Sequence, residues 1–424
     1  MTPSIKRLKT CGVAAVASLL LAAVPAAYAQ RAGEKDKDEA PQQGFDVVTG
    51  KTINEAIELL NMDNYQGAQA KLGTLKMDKL SPYERGRVEQ VFFQIAIQQD
   101  KYDEARQHLL NAINSGGLSE DEVSKLRYQI AVLYIQEENW AKGAQALEDW
   151  FKTAQNPNGA AYYLLAIAYY SQDKHDKAFE PAKKAVELTD QPQSGWIQLL
   201  AFLYIEREDF KSAVPLMERL ISMEPKKKDN WVQLSNIYQQ MDDYPKALAA
   251  MQVAYEADML NQDSEYRRLA DMLLFNEIPY RCAELLDKAI DDKKIKADEQ
   301  AYEKLANCWI SAREFDKALD PLERAAQLSP NGDLYVRLAE VNVQRQDWGS
   351  AASAVQKGIE KGKLKDAAYA QLLMGIALYE EKKPQDAIPY FQRAAKSDAR
   401  RKSAQNYLQR IEYEAQQKRQ AQGG

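Results

Sequence analysis

Histidine is nearly absent from this chain. The 424 residues hold two, His108 and His175, together with three cysteines, Cys11, Cys282 and Cys308. The histidines lie far apart, and His175 falls in a slot that is usually aromatic, so a packing role suits it better than metal or proton chemistry. Cys282 and Cys308 lack CxxC or zinc spacing. HExxH, GxSxG, Walker-type and GxGxxG patterns are missing as well. Carboxylates are plentiful, but they gather in turns and on helix faces, where solvated charge accounts for them. No catalytic residue, metal site or cofactor is therefore expected, although a site built from scattered acids would leave no motif. A basic excess is also lacking. Against 56 Lys and Arg stand 62 Asp and Glu, a formal net charge of −6, which argues against a nucleic-acid partner.

Long apolar runs are confined to the N-terminus. Lys6, Arg7 and Lys9 precede an apolar run from Gly12 to Val24, and Ala27-Tyr28-Ala29 supplies a small-x-small cleavage pattern. Residues 1–29 read as a signal peptide, cut near Ala29/Gln30, whose run is too short for a stable membrane span. An uncleaved anchor is the alternative. Cleavage would remove three positive charges and no acid, shifting the net charge from −6 to −9. The next candidate, Ala160 to Tyr170, stops at Ser171-Gln172-Asp173-Lys174 and predicts a buried helix, so no transmembrane segment is expected after signal removal. Residues 30–51 mix Lys with Asp and Glu before Pro41 and Gly44, and read as a flexible linker.

What the chain does have is a repeat. Ten times a small residue stands three places after a side chain that is usually aromatic. The pairs are Tyr65/Ala68, Tyr102/Ala105, Trp140/Gly143, His175/Ala178, Phe210/Ala213, Tyr244/Ala247, Tyr280/Ala283, Phe315/Ala318, Trp348/Ala351 and Pro384/Ala387. The small residues recur every 33 to 38 positions, a period that signals stacked helical hairpins. Twelve positions earlier stands a second small residue in eight units, as at Ala131, Ala166 and Ala201. One small residue per helix lets the two backbones approach where the hairpin crosses. Large residues nine before the first, Tyr134, Tyr169, Tyr204, Tyr238 and Trp309, fill the flanks. Pro225 and Pro330, each twelve positions after a small residue, mark the end of a second helix. Cys282 and Cys308 lie equally far from a turn expected near residue 295, at similar heights on an antiparallel helix pair. A disulfide and two buried thiols both remain open.

This pattern resembles the tetratricopeptide-repeat (TPR) family. Trp231-Val232-Gln233-Leu234-Ser235 … Tyr238 … Tyr244-Pro245-Lys246-Ala247 fits closely, as does Leu305-Ala306 … Trp309 … Phe315-Asp316-Lys317-Ala318 … Pro330. Phe93 and Asp271 depart from it at normally small positions, His175 and Pro384 at normally aromatic ones. The resemblance implies an all-α fold, a right-handed superhelical solenoid of about ten hairpins over residues 52–399. A capping helix over 400–418 and a disordered tail at 419–424 complete the reading.

In proteins similar to this one, positions fifteen, eleven and eight before the small residue line a concave groove. Three consecutive units make that stripe apolar and aromatic, with Tyr128, Val132 and Ile135, then Tyr163, Ile167 and Tyr170, then Phe202 and Ile205. Gln90 and Gln94 flank it on one side, and Val232, Asn236 and Gln239 on the other. Arg268, Met272 and Phe275 partly revive it. A contiguous aromatic patch on a soluble protein marks an interaction site for a partner peptide or helix. Curvature of the stack, or the linker folding back, would instead bury the stripe. The carboxylate clamp of chaperone-binding members is not kept, because Val232 and Glu303 stand where the Lys partners of Asn236 and Asn307 belong.

At whole-chain level the sequence is similar to exported TPR proteins of Gram-negative bacteria that accompany TonB–ExbB–ExbD systems, through its leader, its degenerate units and stretches such as Leu372-Leu373-Met374-Gly375-Ile376-Ala377. That resemblance implies a non-enzymatic periplasmic adaptor for TonB-dependent uptake, with protein partners of the TonB, ExbB or ExbD type. The alternative is a scaffold or assembly factor for cell-envelope components.

Overall fold

The computed structural model describes residues 44–422. Residues 1–29, read above as a signal peptide, residues 30–43 of the expected linker and the last two residues lie outside them. Among the described residues there are 21 α-helices, one short 3-10 turn at Met77–Lys79 and no strand, and no helix is long and apolar enough to cross a membrane. The chain divides after Glu224 into two compact units. The first contains α1 (Val47–Asn61), α2 (Tyr65–Leu72), α3 (Pro82–Gln98), α4 (Tyr102–Asn114), α5 (Glu120–Gln136), α6 (Trp140–Phe151), α7 (Gly159–Tyr170), α8 (His175–Glu187), α9 (Ser194–Glu206) and α10 (Phe210–Met223). The second contains α11 (Lys228–Gln240), α12 (Tyr244–Glu256), α13 (Asp263–Phe275), α14 (Pro279–Asp291), α15 (Glu299–Ser311), α16 (Phe315–Leu328), α17 (Asp333–Gln344), α18 (Trp348–Lys361), α19 (Ala367–Glu380), α20 (Pro384–Ala394) and α21 (Asp398–Gln422).

Each hairpin turns in the same way. A residue five before the small one takes the left-handed conformation: Asp63, Asp100, Glu138, Asp173, Glu208, Asp242, Glu277, Arg313, Gln346 and Lys382, with φ between 55° and 65°. The next N–H then reaches back five residues, as from Asn139 to the Tyr134 carbonyl at 2.8 Å and from Asp209 to Tyr204 at 2.9 Å. This closes the first helix in a Schellman-type cap. In five turns that next residue, Asn64, Asn139, Asp209, Asp243 or Asp347, accepts from a first-turn N–H of the following helix. One short polar segment thus stops one helix and starts another.

This geometry corrects the register of the seventh unit. Its left-handed residue is Glu277 and α14 begins at Pro279, so the structural pair is Pro279/Cys282, not Tyr280/Ala283. The second small residue is then Ala270, fully buried like Cys282, while Asp271 is exposed and no longer a departure. An aromatic and an alanine one place further on had mimicked the pattern.

The small pairs are the dry centres of the hairpins. Ala56, Ala68, Ala166, Ala178, Ala201, Ala213, Ala306 and Ala318 have no solvent exposure, and Ser235 donates to the Ala247 carbonyl at 2.8 Å. At Phe93 the rule inverts, with the large residue twelve before and Ala96 nine before, both buried in one cluster. A further lock was not read from the sequence. The Lys one before the small residue lies over the aromatic nine before it: Lys142 over Tyr134, Lys177 over Tyr169, Lys246 over Tyr238 and Lys317 over Trp309, at 4.6–5.8 Å. Cys282 and Cys308 are joined as a disulfide tying α14 to α15, their Cα atoms 5.8 Å apart.

Both ends differ from the expected bounds. α1 starts at Val47, inside the range read as linker, because Asp46 caps it through the Val48 N–H at 3.1 Å and Phe45 packs on Tyr83 at 5.5 Å. α21 runs to Gln422, into the range read as a disordered tail. Its Ala404 and Ile411 are buried, and Tyr407 stacks on Phe391 at 4.8 Å.

Two substitutions test this account by thermal or denaturant unfolding. Glu208→Gly relieves a left-handed side chain and raises stability by about 1 kcal/mol. Gly375→Ala lowers it by about 1–3 kcal/mol, because the new Cβ would stand 2.7 Å from the buried Phe391 ring.

Candidate partner-binding site

The hairpin register fixes where the stripe lies, and in the first unit the expected partner-binding residues are mostly consumed by packing. Val132, Ile135, Tyr163, Ile167 and Tyr170 are buried, and Tyr128, Phe202 and Ile205 are half-buried. Each aromatic is covered by a neighbouring one. Tyr128 meets Trp150 at 4.9 Å, Tyr163 stacks on Trp196 at 5.6 Å, and Tyr170 shares a three-ring cluster with His175 at 5.2 Å and Phe202 at 5.4 Å. Burial pushes the Tyr128 hydroxyl up to about 12, and its oxygen is buried without a hydrogen-bond partner. The expected aromatic patch is therefore an internal seam, and its five buried members present no surface to a partner.

In the second unit three hairpins are cross-linked beside the stripe, while the last keeps the stripe itself apolar with Leu372, Ile376 and Tyr379. Cations fourteen positions before the small residue reach back to the preceding hairpin. Arg268 donates to Asn236 and, at 2.7 Å, to Gln239. Lys304 pairs with Asp271 and Arg337 with Glu303. Of the residues expected to revive the patch, Arg268 is thus a bridge, Met272 is buried, and Phe275 is 64% exposed against Tyr244 at 4.4 Å.

An open part of the stripe lies at the start of the first unit. There Phe45, Gly50, Ile53, Asn54, Ile57, Arg87, Gln90, Val91 and Gln94 surround a groove of about 170 Å³ between α1 and α3. Ile53, Ile57, Gln90 and Gln94 occupy positions fifteen and eleven of their hairpins, so the spacing rule that singled out Gln90 and Gln94 also reaches the two isoleucines. What hid the site was chemistry, since the search favoured aromatics. Arg87 pairs with Glu122 and donates to Gln90 at 2.9 Å.

Glu84 holds the lip of this groove. Its carboxylate accepts from the Asp46 N–H at 2.8 Å and from the Ser81 N–H at 2.9 Å. Burial raises its pKa, but the Ser81 and Asp46 hydrogen bonds outweigh that and leave it below the ordinary carboxylate value.

These features define a class of protein, a stack of helical hairpins offering a groove and no catalytic constellation among the described residues. The tetratricopeptide-repeat model matches residues 128–193 and 336–404. The two matched segments are tetratricopeptide repeats. No curated protein matches it significantly. Among solved structures it is similar to a TPR protein from Parabacteroides merdae, at 16% identity over 60% of this chain and 98% of that one, TM-score 0.34. YrrB, described as a TPR protein with an unusual peptide-binding site, aligns at 14% identity over 46% and 97%, TM-score 0.36. The MamA protein aligns at 22% over 40% and 90%, TM-score 0.34. At such scores these likenesses bear no functional weight.

A group with a lowered folded pKa lends stability above its unfolded pKa and loses it as pH falls through the folded one. The protection factors of the α1 amides should therefore fall when pH drops below about 4. In Glu84→Gln they should already be low at neutral pH and vary less with acid.

Proposed function

We propose that the protein is a non-enzymatic interaction adaptor, exported to the periplasm and accessory to a TonB-dependent energy-transduction system. The observation that carries the binding part of this reading is the groove between α1 and α3, where half-buried Ile57 and the side-chain amides of Asn54, Gln90 and Gln94 stay accessible beside the buried Ile53 and Val91. The leader-like residues 1–29 and the whole-chain resemblance described above support the location and the system. The partner enters as a polypeptide segment, because the groove follows two helices and offers side chains spaced by one helical turn.

A photo-crosslinker at Gln94, in the groove, is compared in cells with one at Gln66, exposed on α2. Capture of a TonB, ExbB or ExbD component from position 94 alone supports the reading. Capture of another envelope protein moves it to the scaffold alternative, and equal or absent capture at the two positions removes it.

A further inference from the structure

Among the described residues one contact between hairpins is covalent, the bond between Cys282 and Cys308. The two cysteines are 26 residues apart in sequence, and they belong to different hairpins, since α14 closes the seventh and α15 opens the eighth. Both side chains have no solvent exposure, and their Cα atoms stand 5.8 Å apart, close enough to bond without moving either helix. Packing alone does not ask for two cysteines here. Cys282 fills the small slot that alanine fills in most other hairpins. Cys308 lies ten positions before Ala318, a slot that Leu203, Ile237, Met272 and Val341 fill in their own hairpins, all of them buried. An alanine and an ordinary aliphatic side chain would satisfy the repeat, so the thiol chemistry is surplus to it. The seam is closed beside the bond as well. Tyr280 meets Trp309 edge to face at 5.3 Å, and Lys317 lies over the two rings at 4.8 and 4.6 Å.

We propose that Cys282 and Cys308 are a modification site, the substrate of a disulfide-bearing oxidant that acts before α14 and α15 pack and leaves a bond the folded chain does not exchange. The chemistry is thiol–disulfide exchange. One cysteine thiolate attacks a sulfur of the oxidant's disulfide, and the oxidant's other sulfur leaves as a thiolate. The second cysteine thiolate then attacks the chain's own sulfur in this mixed disulfide, closing the bond between residues 282 and 308 and expelling the oxidant's remaining sulfur. Two electrons pass to the oxidant, and the two protons the cysteines release end on its two thiols. Each attack needs direct approach to a sulfur, which full burial denies once the helices have packed. The pair is therefore set during folding and kept afterwards, as a bond or as two thiols. From the proposed function the inference takes only the oxidising compartment. What the bond changes follows from the architecture. In a stack, each hairpin is stabilised by itself and by its neighbours, so a crosslink between successive hairpins strengthens that one interface, and the seventh and eighth open together.

The test uses the full chain, with glutathione disulfide as the oxidant and peptide masses to follow Cys282 and Cys308. Present during refolding from urea, the oxidant should close the bond. Added to chain already folded with reduced thiols, it should do so at least about tenfold more slowly, and glutathione should open the folded bond more slowly than the unfolded one by a similar factor. Protection factors of the α14 and α15 amides should be at least about tenfold higher in the oxidised chain than in the reduced one, while those of α5 and α6 stay the same. Cys282→Ala combined with Cys308→Ala should match the reduced chain with or without the oxidant; should that variant not fold, the reduced chain carries the comparison. Equal exchange rates in folded and unfolded chain, failure of the bond to form on refolding, or equal protection with and without it would each overturn the proposal. None of these outcomes bears on the crosslink from position 94 or on where the chain resides, so the adaptor reading stands or falls separately.

Discussion

Two helices can cross in van der Waals contact only if nothing large stands between them, and most of this molecule follows from meeting that condition again and again. The buried pairs Ala166/Ala178, Ala201/Ala213 and Ala306/Ala318 bring the backbones together, which forces every large side chain to the flanks of the crossing. The aromatic nine positions before the second small residue takes one flank, and the Lys beside that small residue lies across its face. Helix termination is bound to the same register. The left-handed residue always falls five positions before the small one, so the cap and the crossing cannot shift independently.

With that register settled, the stripe facing away from the crossing is free to vary, and the two compact units use it differently. Fourteen positions before the small residue three hairpins of the first unit have Val91, Leu164 and Leu199, where three of the second have Arg268, Lys304 and Arg337. The others carry Asn54 and Gln129 in the first unit and Gln233 and Leu373 in the second. Apolar residues there let consecutive hairpins close over Tyr163 and Tyr170. Cations instead need partners, because a half-buried charge left unpaired is costly, and they find them in Gln239, Asp271 and Glu303. Packing in one unit and pairing in the other both take residues out of play as binding surface. The groove between α1 and α3 is left with neutral amides over aliphatic carbon, which is why it carries the functional reading.

The sequence by itself determined the architecture. Small residues at a steady period, with aromatics and prolines in fixed offsets, have one economical explanation, and local sterics make such a signal visible without any knowledge of long-range contacts. It also located the helix pair that carries Cys282 and Cys308, and reached Gln90 and Gln94 by spacing. In the seventh unit the pattern misled by one place, because Tyr280 and Ala283 imitate it; only the backbone at Glu277 and Pro279 separates the two registers. The tertiary structure alone decided which apolar residues are surplus. Ile167 and Ile57 occupy equivalent places in their repeats, yet Ile167 is buried and Ile57 stays half-buried at the edge of a groove. Burial depends on what the adjoining hairpin places opposite a side chain, and that is a property of the pair of surfaces, written in neither stretch of sequence alone.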